Sequence, residues 1–378
     1  MKIIILILSV TLLLASCKLY HNNVVFISYS KEKHSNVYPL FMDRYGDYYP
    51  IYPLQQFDKR KTLASLRNHY KHYKDTWSSN NNLLYHDNSN NFDSLQTKII
   101  DLNTELINET IKVKHYTSVT FIMVGFNNTY LATKKDTLNA NMKLDKLIEF
   151  VDSVKPNNNT LFVKLYWDGK YSGNKIGSAS NFRYATTNSY YVGFGLRKLI
   201  QKLETRNINF ISHSLGANIV CEAIFNQENK ITNTNHFKDS LQKLHSKTNI
   251  FIENKTIKAA IIAPAMPGTN TFIDFFNATL NPKLNKNDVS FFVGWFKDDA
   301  ALKKFIFPNK LGSTTLGCNY KNETESTRTL FMKNKLATSF NDYDFKDNSI
   351  IKGFASHDLL NYLNNKKAYK NVIDFLYE

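Results

Sequence analysis

Short apolar runs closed by turn residues alternate with stretches of helical periodicity over most of this chain. Residues 116–124, 160–167, 208–212, 257–265 and 288–296 are runs of the first kind and predict buried strands. Residues 92–111, 138–155, 189–204, 216–227 and 357–378 carry helical patterning and predict helices. Strands that are apolar on both faces, separated by helices, call for a parallel sheet covered on both sides. The predicted fold class is therefore α/β.

Residues 18–93 break this pattern. They are rich in Tyr, Asn, Lys and His, and 36–53 alternate aromatic and polar positions around Tyr45-Gly46-Asp47, which predicts a hairpin. A helix is expected over 61–77 and a polar loop over 78–91. The segment is expected to be a small module or an ordered extension on a main domain spanning 94–378. The chain has 378 residues, 43% of them hydrophobic, and no internal repeat. That length suits about two or three domains, or one large α/β domain with an extension.

The first residues change the picture. Lys2 precedes an apolar stretch, 3–14, that is too short to span a bilayer comfortably. It ends in Leu14-Ala15-Ser16-Cys17, which resembles the bacterial lipobox. The resemblance implies that 1–17 is a lipoprotein signal peptide. It also implies that Cys17 is lipidated and becomes the new N-terminus, and that the protein is anchored to a membrane of the bacterial cell envelope. The formal net charge of +16 suits an anionic membrane surface, or simply a solvated basic face. Nucleic acid is not expected as a partner, because the lysines are dispersed and no basic helix or aromatic-interleaved motif gathers them. Cys221 and Cys318 remain. They are either two buried thiols or a bridge that an oxidising compartment permits.

The candidate chemistry centres on 208–227, where the strand runs through Ser212-His213-Ser214-Leu215-Gly216 into a helix. An esterase elbow puts its serine on such a turn, with small residues on either side. Gly216 meets that requirement, and Ser212 stands where the first glycine of Gly-x-Ser-x-Gly would be. His213, between the two serines, is expected to pack away from the site. The strand 116–124 ends in Val124-Gly125-Phe126-Asn127-Asn128-Thr129. With these two stretches, 94–378 resembles an α/β-hydrolase, similar to a bacterial branch whose first core strand ends in His-Gly-Phe/Tyr-Asn-Asn. Val124 departs from that histidine. The resemblance implies an α/β-hydrolase fold with Ser214 as nucleophile, and an oxyanion hole from the backbone N–H groups of Phe126 and Leu215.

The same fold implies the chain order nucleophile, acid, histidine. Of the histidines after Ser214, His236 and His245 lie in a polar insertion at 228–256, which leaves His357 at the start of the last helix as the base. For the acid, the resemblance favours Asp299. Asp298 beside it is a close competitor, one of the two being expected to cap a helix, and Asp274 is an outside candidate. Residues 166–191, which begin Tyr166-Trp167-Asp168-Gly169, resemble the family's Trp-x-x-Gly loop near the site or are plain surface structure. No metal-binding spacing and no phosphate-cradling glycine loop occurs, and no cofactor is expected. Gly193-Phe194-Gly195 is too isolated to count as such a loop. Two functions follow from the resemblance. One is a serine hydrolase cleaving an ester or lipid-like substrate. The other is a catalytically silent relative serving binding or envelope assembly, for which Val124 and Ser212 speak.

Overall fold

The computed structural model describes residues 32–50, 65–68, 70–71, 91–126, 134–169, 178–225, 252–272, 288–306, 313–346 and 357–378. Seven strands form one sheet: β1 (Val37–Met42), β2 (Ser118–Met123), β3 (Thr160–Trp167), β4 (Asn207–His213), β5 (Thr256–Ile262), β6 (Asp288–Trp295) and β7 (Ser339–Asp344). Their order is β1-β3-β2-β4-β5-β6-β7, and every pairing is parallel. All residues of β2 and β3 are buried, which explains runs such as Phe121-Ile122-Met123; the polar Ser118, Thr120, Thr160 and Lys164 are buried with hydrogen-bond partners.

The helices are α1 (Phe92–Lys114), α2 (Lys134–Val154), α3 (Ser178–Lys202), α4 (Gly216–Phe225), α5 (Ala300–Lys303), α6 (Glu323–Lys333), α7 (Leu359–Asn364) and α8 (Lys366–Tyr377). They cover both faces of the sheet. Phe291 of β6 meets Phe225 of α4 and Phe331 of α6, whereas its neighbour Phe292 meets Phe375 of α8. Successive strand residues point to opposite faces, so α4 and α6 lie across the sheet from α8. Each such buried ring contributes about 1.5–3 kcal/mol. Among the described residues, no helix is long and apolar enough to cross a membrane. Cys17 and the rest of 1–31 lie outside the described residues, as does most of the expected helix 61–77.

Three differences from the sequence pattern have clear causes. First, Val37–Met42 is not part of a separate module but the edge strand of the main sheet, paired with β3. The expected hairpin is a tight turn closed by a single antiparallel bridge, Met42 to Tyr48. Asp43 accepts from the amides of Tyr45 (2.8 Å) and Asp47 (3.0 Å), and so folds the turn. The turn docks closely on α3, where the Tyr48 hydroxyl donates to the Gly195 carbonyl (2.9 Å) and a Cβ at Gly195 would lie 2.5 Å from the Gly46 oxygen. Gly193 is equally tight against α4, 2.7 Å from the Ile219 oxygen, so Gly193-Phe194-Gly195 serves close packing.

Second, α3 begins at Ser178, within the stretch expected as a loop. It holds α4 through Arg197, whose Nε donates to the Ala223 carbonyl (3.0 Å) and which pairs with the buried Glu222 carboxylate. Burial lowers the Arg197 guanidinium to about 10, so it remains charged at neutral pH. Third, β7 extends the sheet beyond the last expected strand, with α6 packed against it through Phe331 and Phe340. The terminal helical stretch is broken at Asn365, whose side chain accepts from Ala368 N (3.0 Å) to cap α8. Cys221 and Cys318 are both free and buried, so they do not form the bridge left open by the sequence.

Candidate active site

β4 ends at His213, and the next residue, Ser214, has φ +60°. A non-glycine residue in this left-handed region costs of order 1–3 kcal/mol unless its surroundings impose it. Here three backbone hydrogen bonds do so: Ser214 N donates to the Ile262 carbonyl (3.0 Å), and its own carbonyl accepts from Ala217 (3.1 Å) and Ala265 (3.1 Å). Strand and helix nearly touch at this bend. A Cβ at Gly216 would lie 3.3 Å from the Ser212 Cβ, so glycine at 216 leaves the room that Ser212 occupies. The Ser212 hydroxyl is buried without a hydrogen-bond partner among the described residues, a cost of about 1–3 kcal/mol.

His357 Nε2 lies 2.7 Å from Ser214 Oγ, and His357 Nδ1 lies 2.7 Å from Asp299 Oδ2. Asp299 is fully buried, and it both caps α5 and meets His357. Its Oδ1 accepts from the amides of Ala301 and Leu302, both at 3.0 Å. Its Oδ2 also accepts from the Tyr362 hydroxyl (2.7 Å). Burial alone would raise the Asp299 carboxyl. The charge of His357 and hydrogen bonds from His357, Leu302 and Tyr362 outweigh it and hold the carboxyl below its ordinary value. An ionised carboxylate only accepts, so Nδ1 carries the proton and Nε2 is left to accept from the serine hydroxyl. Asp298, the competing acid, is instead exposed and paired with Lys303 (2.7 Å).

His213 does not point away from the site as expected. Its ring packs on His357, with centroids 4.9 Å apart, and on Tyr362 at 5.6 Å. Strand alternation ends at the left-handed Ser214, which removes the basis for that expectation. Burial, reinforced by His357, holds the His213 imidazole well below its usual range, so it stays neutral.

On the other side of Ser214, the backbone after β2 passes directly over the bend. A Cβ at Gly125 would lie 2.4 Å from Leu215 N and 2.9 Å from Ser214 Oγ. Leu215 N–H has no backbone acceptor among the described residues, and Phe126 follows Gly125 at this edge. Val124 is buried, and its carbonyl accepts from Trp167 Nε1 (2.7 Å), which ties the β2 loop to the end of β3. Asn127, Asn128, Thr129, Asp274, His236 and His245 lie outside the described residues.

Tyr362 was not foreseen, since nothing in its neighbourhood marks it as a partner of the acid. Trp167 carried a signal, the resemblance of its loop to the family's loop near the site. Tyr362→Phe removes one of the donors that hold the Asp299 carboxyl down. A depressed carboxylate stabilises the fold above its unfolded value, and that stability is lost as pH falls through its folded value. The variant should therefore lose about 1.5–3 kcal/mol at neutral pH. Its acid unfolding should also begin at higher pH than in the wild type. Urea midpoints measured from pH 3 to 7 check both, and parallel curves would remove Tyr362 from the acid's support.

Among the described residues, no three His, Cys, Asp or Glu side chains converge as a metal site requires. A cavity of about 490 Å³ opens at the opposite end of the strands, between Thr117, Lys155, Asn207 and Glu378, and shares no residue with the Ser214 site. No family model matches the chain, and no curated protein matches it either.

Proposed function

We propose that the chain has an α/β-hydrolase fold and is a serine hydrolase cleaving a carboxylic ester. One observation carries this reading: a serine in a left-handed strand-to-helix turn, 2.7 Å from an imidazole whose other nitrogen meets a buried carboxylate. Ser214 is a weak nucleophile at its ordinary pKa and needs a base. In the proposed mechanism, Ser214 Oγ attacks the carbonyl carbon as its proton passes to His357 Nε2. Asp299 stabilises the resulting imidazolium and fixes its orientation. The N–H groups of Phe126 and Leu215 receive the oxyanion, each worth roughly 3 kcal/mol in the transition state. The imidazolium returns the proton to the departing alcohol oxygen as the ester C–O bond breaks. Water then attacks the acyl-enzyme, again with His357 as base, and releases the acid and free Ser214.

The silent alternative rested on Val124 and Ser212. The proposed oxyanion donors are backbone groups that do not depend on the side chain at 124, and glycine at 216 leaves room for Ser212, so neither favours it. Labelling with a fluorophosphonate probe tests the hydrolase reading. Wild type should react, whereas Ser214→Ala should not, and a folded wild type that stays unlabelled would sink the reading. We further propose that Cys17 carries the lipid anchor, at a membrane of the bacterial envelope, where the charge of +16 favours anionic headgroups. Cys17→Ala should move the protein from the membrane to the soluble fraction and abolish incorporation of labelled palmitate. Unchanged fractionation and labelling would refute the anchor.

A further inference from the structure

Three phenylalanine rings join the two arms of the site. Phe126, which follows Gly125 on the β2 side, meets Phe182 of α3 edge to face, with centroids 5.9 Å apart. Phe182 stacks on Phe305 at 4.7 Å. Phe305 lies at the end of α5, whose first residue is capped by Asp299, and its amide donates to the Leu302 carbonyl (3.0 Å). The row therefore starts at the residue whose amide is proposed to receive the oxyanion and ends just past the short helix capped by Asp299. Its burial is uneven. Phe182 is 5% exposed, but Phe126, Phe305 and the adjacent Ile306 are only partly buried against the core. The row keeps apolar surface at both ends, and its Phe126 end follows Gly125, whose backbone lies against Ser214.

We infer that Phe126, Phe182 and Phe305 form the acyl-binding wall of the site, and that the substrate is an ester of an apolar, medium-chain or longer acid. This rests on the reading of Ser214 as nucleophile. The leaving alcohol must lie near His357 Nε2, which delivers its proton. The wall starts instead at the oxyanion residue, where the acyl substituent of the same carbonyl emerges. Each methylene buried against apolar surface is worth up to about fourfold in affinity for the transition state. Aromatic faces accept such a chain without polar partners of their own.

The test is a series of p-nitrophenyl esters, from acetate to octanoate, turned over by the full-length protein. In the wild type, kcat/KM should rise with chain length. Phe305→Ala and Phe182→Ala should lower the octanoate-to-acetate ratio at least tenfold. Phe305→Trp keeps the ring and adds bulk, so it should shift the preferred chain to shorter acids. That variant remains informative if Phe182→Ala fails to fold. Ser214-dependent acetate turnover with a flat wild-type profile overturns this inference and leaves the hydrolase reading standing. A steep profile that neither alanine variant changes does the same. No Ser214-dependent turnover or fluorophosphonate labelling at all overturns the hydrolase reading itself, and the acyl wall with it.

Discussion

Alanine at Ser214 is expected to lower ester turnover by roughly 10⁵–10⁶-fold, and alanine at His357 by a similar factor, with the double variant no worse than either. In the proposed mechanism, serine and imidazole act as one unit. With Oγ and Nε2 2.7 Å apart, the proposed proton transfer needs both groups. Losses from independent groups would multiply, whereas losses from a single proton-transfer unit do not. The activity left over would come from substrate binding and the backbone donors. Steady-state turnover of p-nitrophenyl acetate by the two single variants and the double variant checks this. If His357→Ala keeps more than about a tenth of wild-type kcat, another group is the base. Multiplying losses would show that the two side chains do not cooperate.

The second large effect is expected at Gly125, which bears no reactive group. Gly125→Ala should reduce kcat by about 10²–10³-fold. The backbone there does not require glycine, as Gly125 is not among the glycines of positive φ. The demand is for space: the new methyl would lie 2.4 Å from Leu215 N and 2.9 Å from Ser214 Oγ. Leu215 N is backbone, and the Ser214 Cβ, 2.7 Å from the new methyl, is fixed to the backbone, so rotating the hydroxyl brings no relief and the β2 loop itself has to move. That displaces Phe126 N–H relative to Leu215 N–H, and donors misplaced by a fraction of an ångström lose most of their value in the transition state. Because the interaction strengthens as charge develops on the oxygen, kcat should fall more than KM rises. Wild-type kcat in Gly125→Ala would remove the β2 loop from the oxyanion hole.

Much of this arrangement can be read from the chain itself, and the remainder cannot, for physical reasons. The central strands are legible because burial on both faces leaves no polar position in a run such as Phe121-Ile122-Met123. The edge strands are not. β7 reads Ser-Phe-Asn-Asp-Tyr-Asp and buries little besides Phe340, so its membership in the sheet depends on pairing with β6 rather than on its own pattern. β1 has apolar residues, but its partner β3 is remote in sequence, and local aromatic alternation suggested a hairpin instead. At the site, chain order singles out His357, while Asp298 and Asp299 stay indistinguishable by position. The resemblance favoured Asp299, and three-dimensional packing separates the two, since one carboxylate faces solvent and Lys303 while the other collects four donors. Capping and histidine binding had looked like separate tasks for the two aspartates, but the two oxygens of Asp299 perform both. Tyr362 and His213 belong to the same class. Their roles depend on which rings meet across the sheet edge, and nothing in the linear spacing encodes that.

The pairing of β1 with β3 also governs the order in which the molecule can be built. Val37 sits opposite Phe162, so the first strand to leave the ribosome has no neighbour until some 125 further residues have followed. At a synthesis rate of roughly 5–20 residues per second, that interval is about 6–25 s. β2 and β3 pair across a much shorter stretch of chain, Ser118 with Thr160, and can form a nucleus while β1 still waits. An apolar strand with both edges unpaired is an aggregation hazard for as long as it waits. A nascent chain of this topology therefore carries β1 unpaired until its third strand has emerged.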